Sequence, residues 1–111
     1  MSQTTDNGKM VAIISYFWIV GWIIAIILHN REKSDLGAFH IRQTLGLLIL
    51  WVIIYVINLA LVISGLDFLG YILSIGLFIL WLLGFIGAIQ GEKKLVPGIG
   101  AQFQEWFKGI G

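Results

Sequence analysis

The residues best suited to chemistry stand just ahead of the second long apolar stretch of the chain. There, His40 and Gln43 are three positions apart, so a helix would place them on one face. An imidazole and an amide can both exchange hydrogen bonds with a loop or a partner. The pattern predicts a polar site formed by His40 and Gln43. The alternative is a set of interfacial residues satisfied by water, lipid headgroups or neighbouring backbone.

The same residues do not fit a metal centre or a catalytic site. His29 and His40 have no carboxylate at a ligand-like spacing beside them, whereas zinc needs three or four ligands. The chain has no cysteine, which excludes a thiolate site and a disulfide scaffold. It also lacks a nucleotide-binding loop, a nucleophile elbow and paired carboxylates. We therefore expect no metal, no cofactor, no small-molecule substrate and no enzymatic activity.

Three long apolar segments must position these residues. The chain has 111 residues, of which 59% are hydrophobic and only 12% are charged. So small a soluble domain could not bury that much apolar surface. Segments 10–28, 45–66 and 68–89 each approach the roughly 20 apolar residues that a helix needs to cross a bilayer. The prediction is an all-α integral membrane protein, a three-helix bundle in which segments 45–66 and 68–89 form a tight hairpin.

Polar segments flank this transmembrane domain of residues 10–89. Residues 1–9 are polar, and Ser34 or Asp35 can cap the helix that leads into the second span. Residues 90–111 form an amphipathic tail in which Pro97 suits the start of a helix. Its apolar face recurs at helical spacing and consists of Ile99, Phe103, Trp106, Phe107 and Ile110. We expect this short helix to lie in the membrane interface, or alternatively to dock on a partner.

The distribution of basic residues predicts an orientation for three spans. Only Lys9 would lie on the side of the N-terminus, whereas the other six of the seven basic residues would share the opposite side with the tail. Positive residues in short loops are retained in the cytoplasm. The expectation is a multi-pass protein of the cytoplasmic membrane with its N-terminus outside and its C-terminus in the cytoplasm.

Small residues four positions apart recur within the apolar segments. Such pairs let helices approach closely, either inside the bundle or on a docking face for another subunit. The candidate packing residues are Gly21, Ala25, Gly84, Gly87, Ala88 and Gly91.

The charges also exclude several classes of function. A net charge of +1 does not suit a nucleic-acid-binding protein. No ionisable side chain lies inside any of the three predicted spans, whereas pumps and ion-coupled transporters usually place one there.

Two segments resemble the bacterial DUF4870 family, whose members are similar to Tic20, the chloroplast import component. The matching residues are Phe39, His40 and Gln43 ahead of the second span, then Gly91-Glu92 and Pro97 after the third. The resemblance covers about residues 10–108 and implies a small helical membrane protein with a role related to protein translocation. It supplies no catalytic residues, and the Phe39, His40 and Gln43 motif has no known role in the family.

The sequence therefore predicts a small accessory subunit of a larger, translocase-like membrane complex, with the lipid bilayer and other membrane subunits as its partners. The alternatives are a homo-oligomeric pore or small-solute carrier, and a lipid-binding protein that organises the membrane.

Overall fold

The computed structural model describes residues 2–111, with side chains from Gly8 onward. It contains helices and turns, with no strand among these residues. In chain order the helices are α1 (Ser2–Ile14), α2 (Trp18–Arg31), α3 (Asp35–Ile63), α4 (Asp67–Gln90) and α5 (Gly100–Trp106). The expectation of an all-α fold is confirmed.

The expected first span, residues 10–28, is wrong as a continuous helix. The chain breaks between Ile14 and Trp18, where Tyr16 and Phe17 donate to carbonyls three residues back and Trp18 adopts a left-handed φ of 64°. The Ser15 hydroxyl assists the break by donating to the carbonyl of Ala12 at 2.7 Å. A side chain in the left-handed region costs about 1–2 kcal/mol, which the packing around the break must offset.

The two halves of this segment form a helical hairpin, hereafter the α1–α2 hairpin. The hairpin begins beside the Ser34 end of α3, where Gly8 lies against Ser34 and Val11 lies beside Gly37. Its tip reaches Trp51, whose ring centre is 4.6 Å from that of Trp18. The chain then returns along α2 to the same end of the molecule. Helix α2 has 14 residues, about 21 Å at 1.5 Å per residue, too short to cross a hydrocarbon core of about 30 Å.

Among the described residues, α3 and α4 are the two helices long and apolar enough to cross a membrane. They run antiparallel and are joined at Ser64–Leu66, where Gly65 has a φ of 75° and Leu66 N–H closes the end of α3 by donating to the carbonyl of Leu61. This confirms the predicted hairpin of the second and third segments. It also corrects the expected count of spans from three to two.

The N-terminal half of α3 carries most of the tertiary packing. Ser34 caps this helix, as expected, by accepting a 3.0 Å hydrogen bond from Gly37 N–H. Its first part is packed by the α1–α2 hairpin, α4 and α5, and contains buried residues as far as Leu47. Beyond that level α3 and α4 contact mainly each other, and side chains such as Val56 and Ile72 are 59% and 61% exposed.

The C-terminal segment folds back over this packed end. Gly91 ends α4 in a left-handed conformation, with φ of 71°, and Glu92 N–H donates to the carbonyl of Gly87. Helix α5 then crosses α3 where Gly46 leaves room for the ring of Phe103. A Cβ at position 46 would overlap that ring.

We predict that Gly46→Ala loosens α5, because the added methyl group forces Phe103 to move, at a cost of about 1–3 kcal/mol. Hydrogen–deuterium exchange of residues 100–106 in detergent micelles would measure the loss of protection. Gly76→Ala is the matched control, since no atom lies within 4 Å of a Cβ at that position. Equal exchange of α5 in the two variants would contradict the packing described.

Candidate functional site

Tyr16, His40 and Gln43 form a hydrogen-bonded cluster where the α1–α2 hairpin, α3 and the segment after α4 meet. The Tyr16 hydroxyl lies 2.7 Å from His40 Nδ1 and 2.7 Å from Gln43 Nε2. His40 and Gln43 are fully buried, and Tyr16 is 3% exposed. The structure therefore brings together two of the residues predicted from the sequence and adds a third from the break in the first apolar segment.

The cluster also holds the backbone that follows α4. His40 Nε2 donates to the carbonyl of Glu92 at 2.8 Å, and Gln43 Nε2 donates to the carbonyl of Lys94 at 3.1 Å. Gln43 Oε1 accepts from Val96 N–H at 3.0 Å. One amide and one imidazole thus hold residues 92–96 across the base of the bundle. We call the side chains of Tyr16, His40 and Gln43, together with residues 92–96, the clamp.

The polar atoms in the clamp are mutually satisfied in a single arrangement. Because a carbonyl can only accept, His40 carries its proton on Nε2, which leaves Nδ1 to accept from the Tyr16 hydroxyl. The Tyr16 oxygen in turn accepts from Gln43, whose second amide hydrogen goes to Lys94. This accounting requires a neutral imidazole, since a proton on Nδ1 would face a hydroxyl that has no other acceptor for its own hydrogen.

Two glycines make room for the clamp. A Cβ on Gly84 would lie 2.7 Å from the Tyr16 hydroxyl and 3.1 Å from Gln43 Nε2. A Cβ on Gly100 would lie 3.2 Å from Gln43 Oε1.

The Tyr16 carbonyl, left free by the break in the helix, accepts from Trp81 Nε1 at 2.8 Å. The left-handed turn and the clamp therefore support each other.

Phe39 lies beside the clamp and connects it to α5. Its ring centre is 5.0 Å from that of His40, and its carbonyl accepts from Gln104 Nε2 at 2.8 Å. Arg42 lies on another side of α3 and donates to the carbonyl of Ile110 at 2.8 Å. The predicted motif thus contacts the protein's own C-terminal segment.

Most of the predicted apolar residues of the tail pack against the protein, and one is largely exposed. Phe103 is 3% exposed beneath α3, whereas Trp106 is 61% exposed. The others, Ile99, Phe107 and Ile110, are partly buried against the core. The indole of Trp106 is therefore the part of the expected apolar face that remains free to enter a membrane interface or contact a partner, and either role stays a prediction.

The predicted packing residues lie where segments approach closely. Gly21 and Ala25 are buried on α2, and a Cβ on Gly21 would lie 2.7 Å from Phe17 Cβ. On α4, Gly84 faces the clamp, and Gly87 leaves room for the side chain of Lys94. The remaining two are Ala88, which is fully buried, and Gly91, which caps the helix.

His29 is buried outside the clamp, between Gly37 and the backbone of Gly111. Burial lowers the pKa of its imidazole, and the positive charges of Lys33 and Arg42 act in the same direction, while the Gly111 backbone opposes them. His29 packs against Gly37, whereas the ring nitrogens of His40 contact Tyr16 and the carbonyl of Glu92. Among residues 8–111, no group of three or more His, Cys, Asp or Glu side chains is arranged to hold a metal ion.

Tyr16 is the member of the clamp that sequence reasoning missed. Its signal was a hydroxyl-bearing ring directly after Ser15 in an otherwise apolar run.

We predict that Tyr16→Phe destabilises the fold by about 1–3 kcal/mol, because it leaves His40 Nδ1 buried without a donor and removes one acceptor from Gln43. Unfolding in detergent micelles, followed by circular dichroism, would measure the change. Tyr71→Phe removes the same hydroxyl from a side chain that is 68% exposed and should have little effect. Equal unfolding free energies for the two variants would show that the clamp does not stabilise the fold.

The chain has a distant sequence relative among known membrane proteins. The chain is 26% identical over 109 residues to a UPF0132 membrane protein of Methanocaldococcus jannaschii, and the match covers 92% of this chain and 71% of the relative. No protein-family model matches the chain, so the resemblance to the DUF4870 family is not confirmed. No solved structure matches either. The chain is thus similar over most of its length to a protein named for its membrane location.

Proposed function

We propose that the chain is an integral membrane protein in which α3 and α4 cross the bilayer and the α1–α2 hairpin enters from one side and returns to it. The observation that carries this proposal is the uncovered apolar surface of α3 and α4 beyond the hairpin tip. Side chains there are exposed along both helices, among them Val52, Val56, Ile63, Ile72 and Ile75. Only lipid or an apolar partner can cover such a surface favourably.

The dimensions suit this arrangement. The apolar part of α3, residues 45–63, is about 28 Å long at 1.5 Å per residue, close to the thickness of a hydrocarbon core. The left-handed turn at Trp18 lies level with Trp51, about a third of the way along that apolar part. The hairpin would therefore stay within the leaflet nearer the clamp, where its broken backbone is covered by protein rather than by lipid.

The geometry favours an orientation that differs from the one expected from three spans. Lys9 lies near Gly91, and Arg42 and Gln104 join the tail to α3 at the same end. The N-terminal residues therefore share an end with the loop before α3 and with the tail, because the first apolar segment returns instead of crossing. All seven basic residues of the chain then belong to one end, which the positive-inside rule assigns to the cytoplasm.

Within that membrane, the proposed role is that of a non-enzymatic accessory subunit of a larger assembly. The clamp supports a structural role because its polar groups are already engaged with one another and with backbone. A link to protein translocation rests on the family resemblance alone and is the first partner class to test.

A homo-oligomeric pore is the less favoured alternative. The small polar side chains in the apolar parts of the long helices are turned inward or bonded locally: Asn58 Nδ2 donates to Ser74 Oγ at 3.3 Å, Asn58 Oδ1 is buried, and the Ser64 hydroxyl donates to the carbonyl of Ala60. They offer little polar surface to line an aqueous path between copies.

Single cysteines would test the orientation, since the natural chain contains none. We predict that Lys9→Cys and Lys93→Cys resist a membrane-impermeant maleimide in intact cells and react after permeabilisation. Asp67→Cys, at the start of α4, should react in intact cells. If Lys9→Cys instead reacts together with Asp67→Cys, the first segment crosses the membrane and the re-entrant arrangement is wrong.

Purification in a mild detergent, followed by native mass spectrometry, would test the role. We predict a heteromeric complex of fixed stoichiometry, because the exposed faces of α3 and α4 leave room for lateral contacts. A ring of identical copies would support the pore, and a monomer that carries only lipid would contradict the accessory role.

A further inference from the structure

A recess of about 640 Å³ opens beneath the tip of the α1–α2 hairpin, between α3 and α4. Its volume lies within the range of about 300–1,000 Å³ found for small-molecule sites. Aromatic rings form much of its wall, and several of these residues take no part in the clamp. The aromatic lining consists of Tyr16, Phe17, Trp18, Trp51, Tyr55, Phe78 and Trp81.

The recess exists because the hairpin is shorter than the helices it packs against. Trp18 ends its contact with α3 at Trp51, while α3 continues to Ile63 and α4 begins at Asp67. The hairpin tip thus overhangs a part of the α3–α4 pair that nothing else in the described chain covers. Trp18, Tyr55 and Phe78 are 54%, 53% and 59% exposed at its edge, so the recess is continuous with the outer apolar surface.

Water is a poor occupant of this space. At about 30 Å³ per molecule, the volume equals roughly 20 waters, each of which needs two to four polar partners. Three polar side chains of the wall already donate hydrogen bonds within the protein: Ser15 to the Ala12 carbonyl, Thr44 to the His40 carbonyl, and Asn58 Nδ2 to Ser74. Asn58 Oδ1 is buried without a hydrogen-bond partner, and one acceptor cannot satisfy a recess full of water. An empty recess would forfeit the dispersion contacts of its aromatic walls. An apolar occupant satisfies both conditions.

We propose that the recess binds one acyl chain of a membrane lipid, held beneath the hairpin tip with its headgroup toward the end of the molecule at Gly65. This inference rests on the proposed membrane insertion. An acyl chain fits because it can enter sideways from the surrounding lipid and lie along the α3–α4 pair without needing a polar partner. A second copy of the chain is the alternative occupant that the labelling experiment must distinguish.

Photolabelling in vesicles would test the proposal. The full chain is reconstituted in phosphatidylethanolamine and phosphatidylglycerol that contain a trace of phospholipid with a diazirine in the middle of one acyl chain. After irradiation, labelled positions are mapped by peptide mass spectrometry. We expect labelling to concentrate on Trp51, Tyr55 and Phe78, and to exceed that of Ile53 and Ile72, which face outward elsewhere on the same helices.

Neighbouring isoleucines provide matched variants. Ile54 lines the recess, whereas Ile53 is 49% exposed and does not. Ile54→Trp places a bulkier side chain in the wall and narrows the recess, which should lower recess labelling about tenfold, corresponding to 1.4 kcal/mol of lost affinity, while Ile53→Trp should leave it unchanged. Leu77→Trp narrows the recess from the α4 side and serves as the test if Ile54→Trp does not fold.

Each other outcome overturns the proposal in a recognisable way. Even labelling around α3 and α4 would mean that lipid only surrounds the protein. Cross-linked dimers through recess residues would identify a second copy as the occupant. If neither helix is labelled and a protease digests both in sealed vesicles, the chain is not inserted, and the proposed function fails together with the inference.

Discussion

The hydrogen bonds of Gln43 are the constraint on which the arrangement of this protein depends. A buried amide left without partners is strongly unfavourable, so once α3 places Gln43 inside the bundle, other segments must supply a hydroxyl, a carbonyl and an N–H. Tyr16 supplies the hydroxyl from the first apolar segment, and Lys94 and Val96 supply the carbonyl and the N–H from the segment that follows α4. One side chain therefore determines both where the first apolar segment stops and where the backbone after α4 lies.

The packing is asymmetric as a result. Polar contacts, buried side chains and the folded-back tail gather where α3 begins, while the other end is a bare pair of helices. Two helices alone bury little apolar surface, and the pair is held by the close approach of Asn58 to Gly70 and Ser74 and by a tight turn at Gly65. This asymmetry suits the proposed membrane location, because the bilayer covers apolar side chains and only the polar end needs a specific tertiary structure.

Much of the fold could be predicted from single segments. The length and apolarity of α3 and α4, the Ser34 cap and the tight connection near Gly65 are local properties that composition and spacing reveal. The break at Ser15–Phe17 is different, because the residues that stabilise it, Trp81 and Gln43, are remote in sequence. His40 and Gln43 could be identified as unusual from their types, but the role of Tyr16 could not be predicted, since it depends on a chain reversal that no local pattern indicates.

The reversal at Trp18 has a consequence for how such a protein would enter a membrane. A segment that crosses the bilayer requires the chain on one side of it to be translocated, whereas a segment that returns leaves both of its ends on the side where the chain was synthesised. In the proposed arrangement the portion that passes entirely through the hydrocarbon is the short connection around Gly65, whose nearest charge is Asp67. Desolvation of charge during insertion would therefore be confined to one carboxylate, which is the same side chain that marks the far surface once insertion is complete.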